Sequence, residues 1–205
     1  MANTIYWFQT KLPKIMINEA LNQLVTFENE AVDGLIDGDD LNKTIRDSKV
    51  FFLDASNWLG GFIWYYIQQA NNNNFRYDIT DYDDGSLQYT IYGKDQFYTW
   101  HRDQDIDTAY ECKIIPSSET SSAEDKVMLM GEHVRKLSFS LQLNGANDYK
   151  GGELEIEDNQ GNLHEMEKGQ GNLTIFDSRM RHRVNPVSKG IRRSLVGWVI
   201  GPRWK

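Results

Sequence analysis

From Phe75 onward the chain breaks into short strand-like runs separated by turn signals, and this pattern restricts the fold more than any other feature. Leu87 to Tyr92, Val134 to Leu143, Gly152 to Ile156, Asn172 to Phe176 and Arg192 to Ile200 all have strand character. Asn144-Gly145, Asn147-Asp148, Asp158 to Gly161 and Lys168 to Gly171 supply the turns between them. Two helical patterns come first. In Asn18 to Glu30, Ala20, Leu21, Leu24 and Val25 recur at helical spacing, with Asn18 as a cap. Ala55 to Ala70 reads as a buried helix capped by Ser56 or Asn57, weakened at Gly60-Gly61 and ended by Asn71 to Asn74. The expectation is an α+β fold in a single domain over residues 1–205. Residues of about 1–75 form mainly helical support, packed on a barrel or jelly roll of about 76–205.

Composition excludes several classes of function without naming one. At 205 residues the chain is long enough for one substantial core. The longest apolar run, Trp58 to Ile67, is about half the length a membrane helix needs. The start MANTIYWFQT lacks a basic region followed by an apolar one, so no secretory signal is expected. The single cysteine, Cys112, forbids an internal disulfide, fits a reducing cytoplasm, and is expected to be at least half buried. A net charge of −8 argues against nucleic acid as a partner and leaves a basic peptide open.

The chemistry centres on His101-Arg102-Asp103 in YTWHRDQD. Two histidines and one carboxylate on one face of an octahedron leave three positions open, the arrangement of non-haem iron(II) oxygenases. In His-x-Asp the first and third side chains share a face, so both can reach one ion. The third ligand must come from a distant strand, and His133, His164 and His182 are the candidates. His182 follows the strand-like stretch NLTIFDSRMRH. The aspartates at 103, 105 and 107 do not make a calcium loop, because no glycine and closing glutamate follow at the required spacing.

His101-x-Asp103, then His182, then Arg192 and Ser194 stand in the order HxD…H…RxS. With this pattern the chain resembles the iron(II)- and 2-oxoglutarate-dependent dioxygenases, in their prolyl-4-hydroxylase-like branch. HRVNPVSKGIRRSLVGW, LSFSLQLNGANDYKGGELEI and Tyr92 to Tyr98 match the same branch, so the resemblance runs from about Leu87 to Trp198. It implies a double-stranded β-helix core with Fe(II) on His101, Asp103 and His182. It also implies 2-oxoglutarate as cosubstrate, O2 as oxidant, ascorbate as reductant, and release of succinate and CO2. Arg192 would hold the far carboxylate of 2-oxoglutarate, with Ser194 and Tyr92 beside it. The residue chemistry agrees. Arg192 and Ser194 share one face of a strand, and a guanidinium grips a carboxylate through two bonds. Tyr98 is a pocket or core residue, and Leu154 and Trp198 are candidate apolar walls. Arg193 should point outward, and His133 and His164 should be solvated.

The branch implies a prolyl residue in a peptide or protein as substrate. The rival enzymatic reading is a free amino acid or other small molecule. A non-catalytic jelly roll holding metal for structure is the third reading, but it has no use for Arg192 and Ser194 as a cosubstrate anchor. Pro116 to Lys126 reads as a mobile loop, and the acidic segment from Gln104 to Lys126 as a cover that closes over a cationic peptide.

Overall fold

The computed structural model describes residues 6–36, 40–110 and 133–205. Its strands are β1 (Trp7–Lys11), β2 (Val32–Asp33), β3 (Arg46–Asp47), β4 (Lys49–Asp54), β5 (Asp81–Tyr82), β6 (Ser86–Tyr92) and β7 (Phe97–His101). Beyond residue 132 follow β8 (His133–Gln142), β9 (Tyr149–Gly151), β10 (Leu154–Glu157), β11 (Leu163–Glu165) and β12 (Asn172–Asp177). The last are β13 (Arg181–Val184), β14 (Val187–Gly190) and β15 (Arg192–Pro202). The α-helices are α1 (Lys14–Leu24), α2 (Trp58–Ala70) and the short α3 (Ile106–Ala109).

A large sheet runs β1-β12-β8-β15-β6-β4-β2, with β5 added to β15; a smaller one runs β11-β10-β13-β7-β3, and β14 pairs with β9. Pairing in all three is antiparallel. The fold is the jelly roll expected from the short strands.

Alternation along the central strands gives the large sheet two different faces. Leu87 and Tyr89 of β6, Leu137, Phe139 and Leu141 of β8, and Leu195 and Val199 of β15 join Leu59, Ile63 and Ile67 of α2 in one core. The intervening residues, Gln88, Thr90, Ser138, Ser140, Gln142, Arg192 and Ser194, are buried and polar. A polar face shut away from water must satisfy its own hydrogen bonds or hold a ligand.

The amino-terminal region is less helical than its sequence suggests, because β1 to β4 also lie in it and all join the sheets. The first helix begins at Lys14, directly after Pro13, with Asn18 inside it. Proline is well tolerated at a helix start, which the apolar spacing alone does not reveal. Val25–Glu30 continues it as a 3₁₀ turn. The second α-helix ends at Ala70 as the polar run predicts, and a π turn then spans Asn71–Phe75, which Arg76 closes in the left-handed region at φ 57°. The buried Asn71 amide bonds both the N–H and the C=O of Tyr77, which holds the chain in that turn. Among the described residues no helix is long and apolar enough to cross a membrane. Cys112 and Pro116 to Lys126 lie outside the described residues, as does most of the expected cover; of the cover, only Gln104 to Tyr110 is described.

Asn57 caps α2, its side-chain oxygen accepting from the N–H groups of Leu59 and Gly60. The paired glycines that follow are not equivalent. A Cβ on Gly60 would lie 1.9 Å from the carbonyl oxygen of Ala55, whereas one on Gly61 meets nothing within 4 Å. Gly61→Ala should therefore stabilise the protein by up to about 1 kcal/mol through helix propensity. Gly60→Ala should destabilise it by about 1–3 kcal/mol through overpacking. Urea unfolding of both variants checks this, and equal effects would mean that α2 is rotated from the position described.

Candidate metal centre

The smaller sheet brings two of the three sequence-selected ligands together. β13 pairs with β7 so that His182 stands directly opposite His101, ring centroids 4.1 Å apart. Asp103 follows β7 in a turn whose backbone is tied back, the N–H groups of Asp103 and Gln104 both donating to the Ser178 carbonyl. Asp103 Oδ1 lies 3.7 Å from His101 Nε2, and Oδ2 lies 3.4 Å from His182 Nε2. One potential ligand atom from each residue falls within 4.8 Å of the others.

Each imidazole is fixed on its far side. His101 Nδ1 is 2.8 Å from the Thr99 carbonyl and His182 Nδ1 is 3.0 Å from the Met180 carbonyl. A carbonyl only accepts, so both Nδ1 atoms carry the proton and both Nε2 lone pairs face the cluster. Tyr98 stacks on His101 at 3.6 Å, and Phe176 meets His182 edge-on at 4.8 Å. Burial pushes the His101 pKa down to about 3, with the nearby His182 adding to the effect, so this ring is neutral and ready to ligate. Burial alone would raise the Asp103 carboxyl; His182, His101 and the Ser138 hydroxyl outweigh it and hold the group below its ordinary value.

The sign of the His101 shift fixes a pH dependence. Unfolding lets His101 take up a proton near its ordinary value of 6.5, whereas the folded protein resists down to about 3. Its contribution to stability is therefore complete above the unfolded value and is lost as pH falls below it. In protein stripped of metal, the thermal midpoint should fall between about pH 6.5 and pH 4, and His101→Gln should flatten that slope. An unchanged slope in His101→Gln would show that another group controls it.

Both sheets line the cavity beside the cluster: Thr90, Tyr92, Ser140, Arg192, Val196 and Trp198 from the large one, and Arg46, Tyr98, Leu154 and Val184 from the smaller. Arg192 is 1% exposed. It donates from Nη1 to Ser194 Oγ at 2.9 Å and from Nη2 to Ser140 Oγ at 3.4 Å, and its Nε has no partner among the described residues. Its guanidinium lies 5.4 Å from the Tyr92 ring centre, its cross-strand neighbour. Burial raises the Tyr92 pKa, opposed by Arg46 and Arg192, so the phenol keeps its proton to donate. A fully buried cation without a carboxylate partner is costly alone, and a bound carboxylate relieves that cost. The three facing ligand atoms and this guanidinium, whose Nε is unpartnered among the described residues, suit a metal ion chelated by a dicarboxylate.

The nine residues selected from sequence converge here. His101, Asp103, His182, Arg192, Tyr92, Tyr98, Leu154 and Trp198 all line the cavity, and Ser194 orients Arg192. Arg193 points the other way and pairs with Glu28 at 2.7 Å. His133 is exposed. His164 is less free than expected: Asp158 binds it at 2.9 Å and its ring packs on Trp7 at 4.7 Å. Sequence reasoning missed Arg46, Thr90, Ser140 and Val196. Alternate polar residues in an otherwise apolar strand (Ser138, Ser140, Gln142) were a usable signal for Ser140; nothing local marks Arg46.

Comparison with known proteins accords with this geometry. The family profile of the 2OG-Fe(II) oxygenase superfamily matches residues 87–200, more than half of the chain. A PKHD-type hydroxylase of Idiomarina loihiensis is 46% identical over 63 residues, 31% of this chain and 28% of that protein. The alignments with the PKHD-type hydroxylases of two Synechococcus strains span 34% of their length, so these matches cover about a third of each relative. A PKHD-type hydroxylase of Picosynechococcus is 28% identical over 193 residues, covering 92% of this chain and 76% of the relative. Among solved structures, a Pseudomonas putida prolyl-4-hydroxylase superposes with a TM-score of 0.67 at 20% identity, over 98% of this chain and 94% of that one. A Trichoplax adhaerens prolyl hydroxylase, in complex with a hypoxia inducible factor peptide fragment, gives 0.74 at 17% identity, over 97% and 85%. With the matched region spanning every residue of the His101, Asp103, His182 and Arg192 constellation, the chain belongs to the 2OG-Fe(II) oxygenase superfamily.

Proposed function

We propose that the protein is an Fe(II)- and 2-oxoglutarate-dependent hydroxylase acting on a prolyl residue in a peptide or protein. The observation that carries the catalytic part is the meeting, in one cavity, of the three facing ligand atoms with a buried Arg192 that pairs with no carboxylate among the described residues. His101, Asp103 and His182 would hold the iron; Arg192, oriented by Ser194 and Ser140, would take the distal carboxylate of 2-oxoglutarate beside the Tyr92 phenol. Iron and 2-oxoglutarate, with O2, supply the oxidising power that puts oxygen on an unactivated C–H bond, with succinate and CO2 released and ascorbate keeping the metal reduced. The chain's own part is orientation and exclusion of water. Carbonyls pin both imidazoles, serines aim the guanidinium, and Leu154, Phe176, Val184, Val196 and Trp198 make the walls apolar. The peptide-bound Trichoplax neighbour supports a peptide as the kind of substrate.

Release of succinate from 2-oxoglutarate, with a prolyl peptide gaining the mass of one oxygen, tests the proposal. His101→Ala or His182→Ala should abolish turnover and metal binding with the fold intact. Normal turnover in His182→Ala with loss in His164→Ala would assign the third ligand wrongly. Arg192→Ala should raise the 2-oxoglutarate requirement roughly ten- to a hundredfold, because a charge-assisted bond is lost. Arg193→Ala should leave that requirement unchanged and lower stability through loss of the Glu28 pair. Similar requirements in both variants would place the wrong arginine in the cavity.

A further inference from the structure

A second buried arginine faces the same cavity, and the roles assigned above leave it unused. Arg46 of β3 is 7% exposed and stands opposite Tyr98 in the strand register. Its guanidinium lies 4.9 Å from the Tyr98 ring centre, and Tyr98 in turn stacks on His101. The head group is held still, Nε donating to Ser48 Oγ at 2.9 Å and Nη1 to the Leu35 carbonyl at 2.9 Å. A Cβ on Gly34 would lie 2.6 Å from Arg46 Nε and 2.5 Å from Ser48 Oγ, so the glycine makes room for this arrangement. Both acceptors are neutral, and among the described residues Arg46 forms no ion pair. Its neighbour Asp47 is occupied by Gln96 at 2.8 Å and Lys43 at 3.9 Å. Asp103 is committed to the two histidines.

A preorganised, buried guanidinium with no counter-charge among the described residues is a candidate anion site. Arg192 already accounts for the distal end of 2-oxoglutarate and the metal for the other, so the anion at Arg46 belongs to another molecule. We infer that Arg46 seats a carboxylate of the substrate, one aromatic ring away from His101 and hence close to the carbon that is hydroxylated. The inference rests on reading this cavity as a hydroxylase site. It reverses the cationic peptide that the acidic segment after Asp103 suggested. The carboxylate belongs either to a free amino or imino acid or to an acidic residue beside the reacting one in a peptide; the chemistry at Arg46 is the same.

The test separates this carboxylate site from the identity of the substrate. Zinc-substituted protein saturated with 2-oxoglutarate is titrated with propionate by saturation-transfer NMR. Wild type should bind it, Arg46→Gln should bind at least about tenfold more weakly, and Arg46→Lys should retain most of the affinity. Calorimetry on the same zinc protein should show 2-oxoglutarate affinity unchanged in Arg46→Gln, whose thermal midpoint reports that it folds. No propionate binding to wild type, equal binding by Arg46→Gln, or loss of 2-oxoglutarate affinity in that variant would overturn the inference. With iron present, proline is then compared with prolinamide, and Ala-Pro-Glu with Ala-Pro-Gln, by gain of one oxygen. Preference for proline places the carboxylate on a small molecule, and preference for the glutamate peptide places it on a neighbouring side chain. Equal turnover within both pairs contradicts the role of Arg46. If no proline compound is oxidised, the prolyl reading fails, and the propionate titration still decides whether Arg46 is a carboxylate site.

Discussion

The register between β7 and β13 is the constraint on which the site depends. It places His182 across from His101, and because strand side chains alternate, a slip of one residue would turn His182 to the outer face. The outside of the same sheet ties β13 to both of its neighbours, β10 and β7. Arg181 and Arg183, on either side of His182, pair across to Glu157 and Glu155 of β10, their register partners, at 2.9 Å and 2.6 Å. Both guanidiniums also flank the ring of Trp100, at 5.0 Å and 4.6 Å. Each such surface contact adds little stability, but the ion pairs disfavour a slip of β13 against β10 and the Trp100 contacts a slip against β7. The outer ladder and the inner ligands are two faces of one pairing.

The large sheet applies the same alternation to a different end. One face closes the core against α2; the other is polar, buried and aimed at the cavity. The polar face is largely self-satisfied. Gln88 donates to Thr90, Gln142 to Ser140, Ser138 to Ser178, and Arg192 to Ser194 and Ser140. The exception is Arg192 Nε, which is left bare in a chain whose other buried side-chain polar atoms are nearly all partnered among the described residues. Such an exception is expected where a ligand completes the network.

Much of this was legible in the sequence. The short strands and turns indicate a barrel or jelly roll, and the order of His101, Asp103, His182 and Arg192 indicates the centre through its resemblance to the 2-oxoglutarate dioxygenases, where residue types alone leave His133, His164 and His182 open. What escaped did so for physical reasons. β1 and β4 were not distinguished from helical surroundings, since a strand that joins a sheet by long-range pairing carries little local signal. Asn18 resembles a cap, but α1 begins at Lys14, directly after Pro13, which stands outside the helix in an extended conformation and makes no side-chain cap bond. Arg46 carries no local signal, because a single arginine followed by Asp47, Ser48 and Lys49 reads as surface. Only the pairing of β3 with β7 buries it over Tyr98.

The central claim is that three protein ligands hold an iron(II) ion whose remaining positions accept 2-oxoglutarate anchored on a buried arginine. Anaerobic absorption spectroscopy tests it most directly, since a 2-oxo acid chelating iron(II) gives a visible charge-transfer band. Adding 2-oxoglutarate to the iron(II)-loaded protein should develop that band to saturation at one equivalent per chain, with succinate producing none. Failure of the band to appear, or its appearance at full intensity in protein lacking His182, would contradict the account.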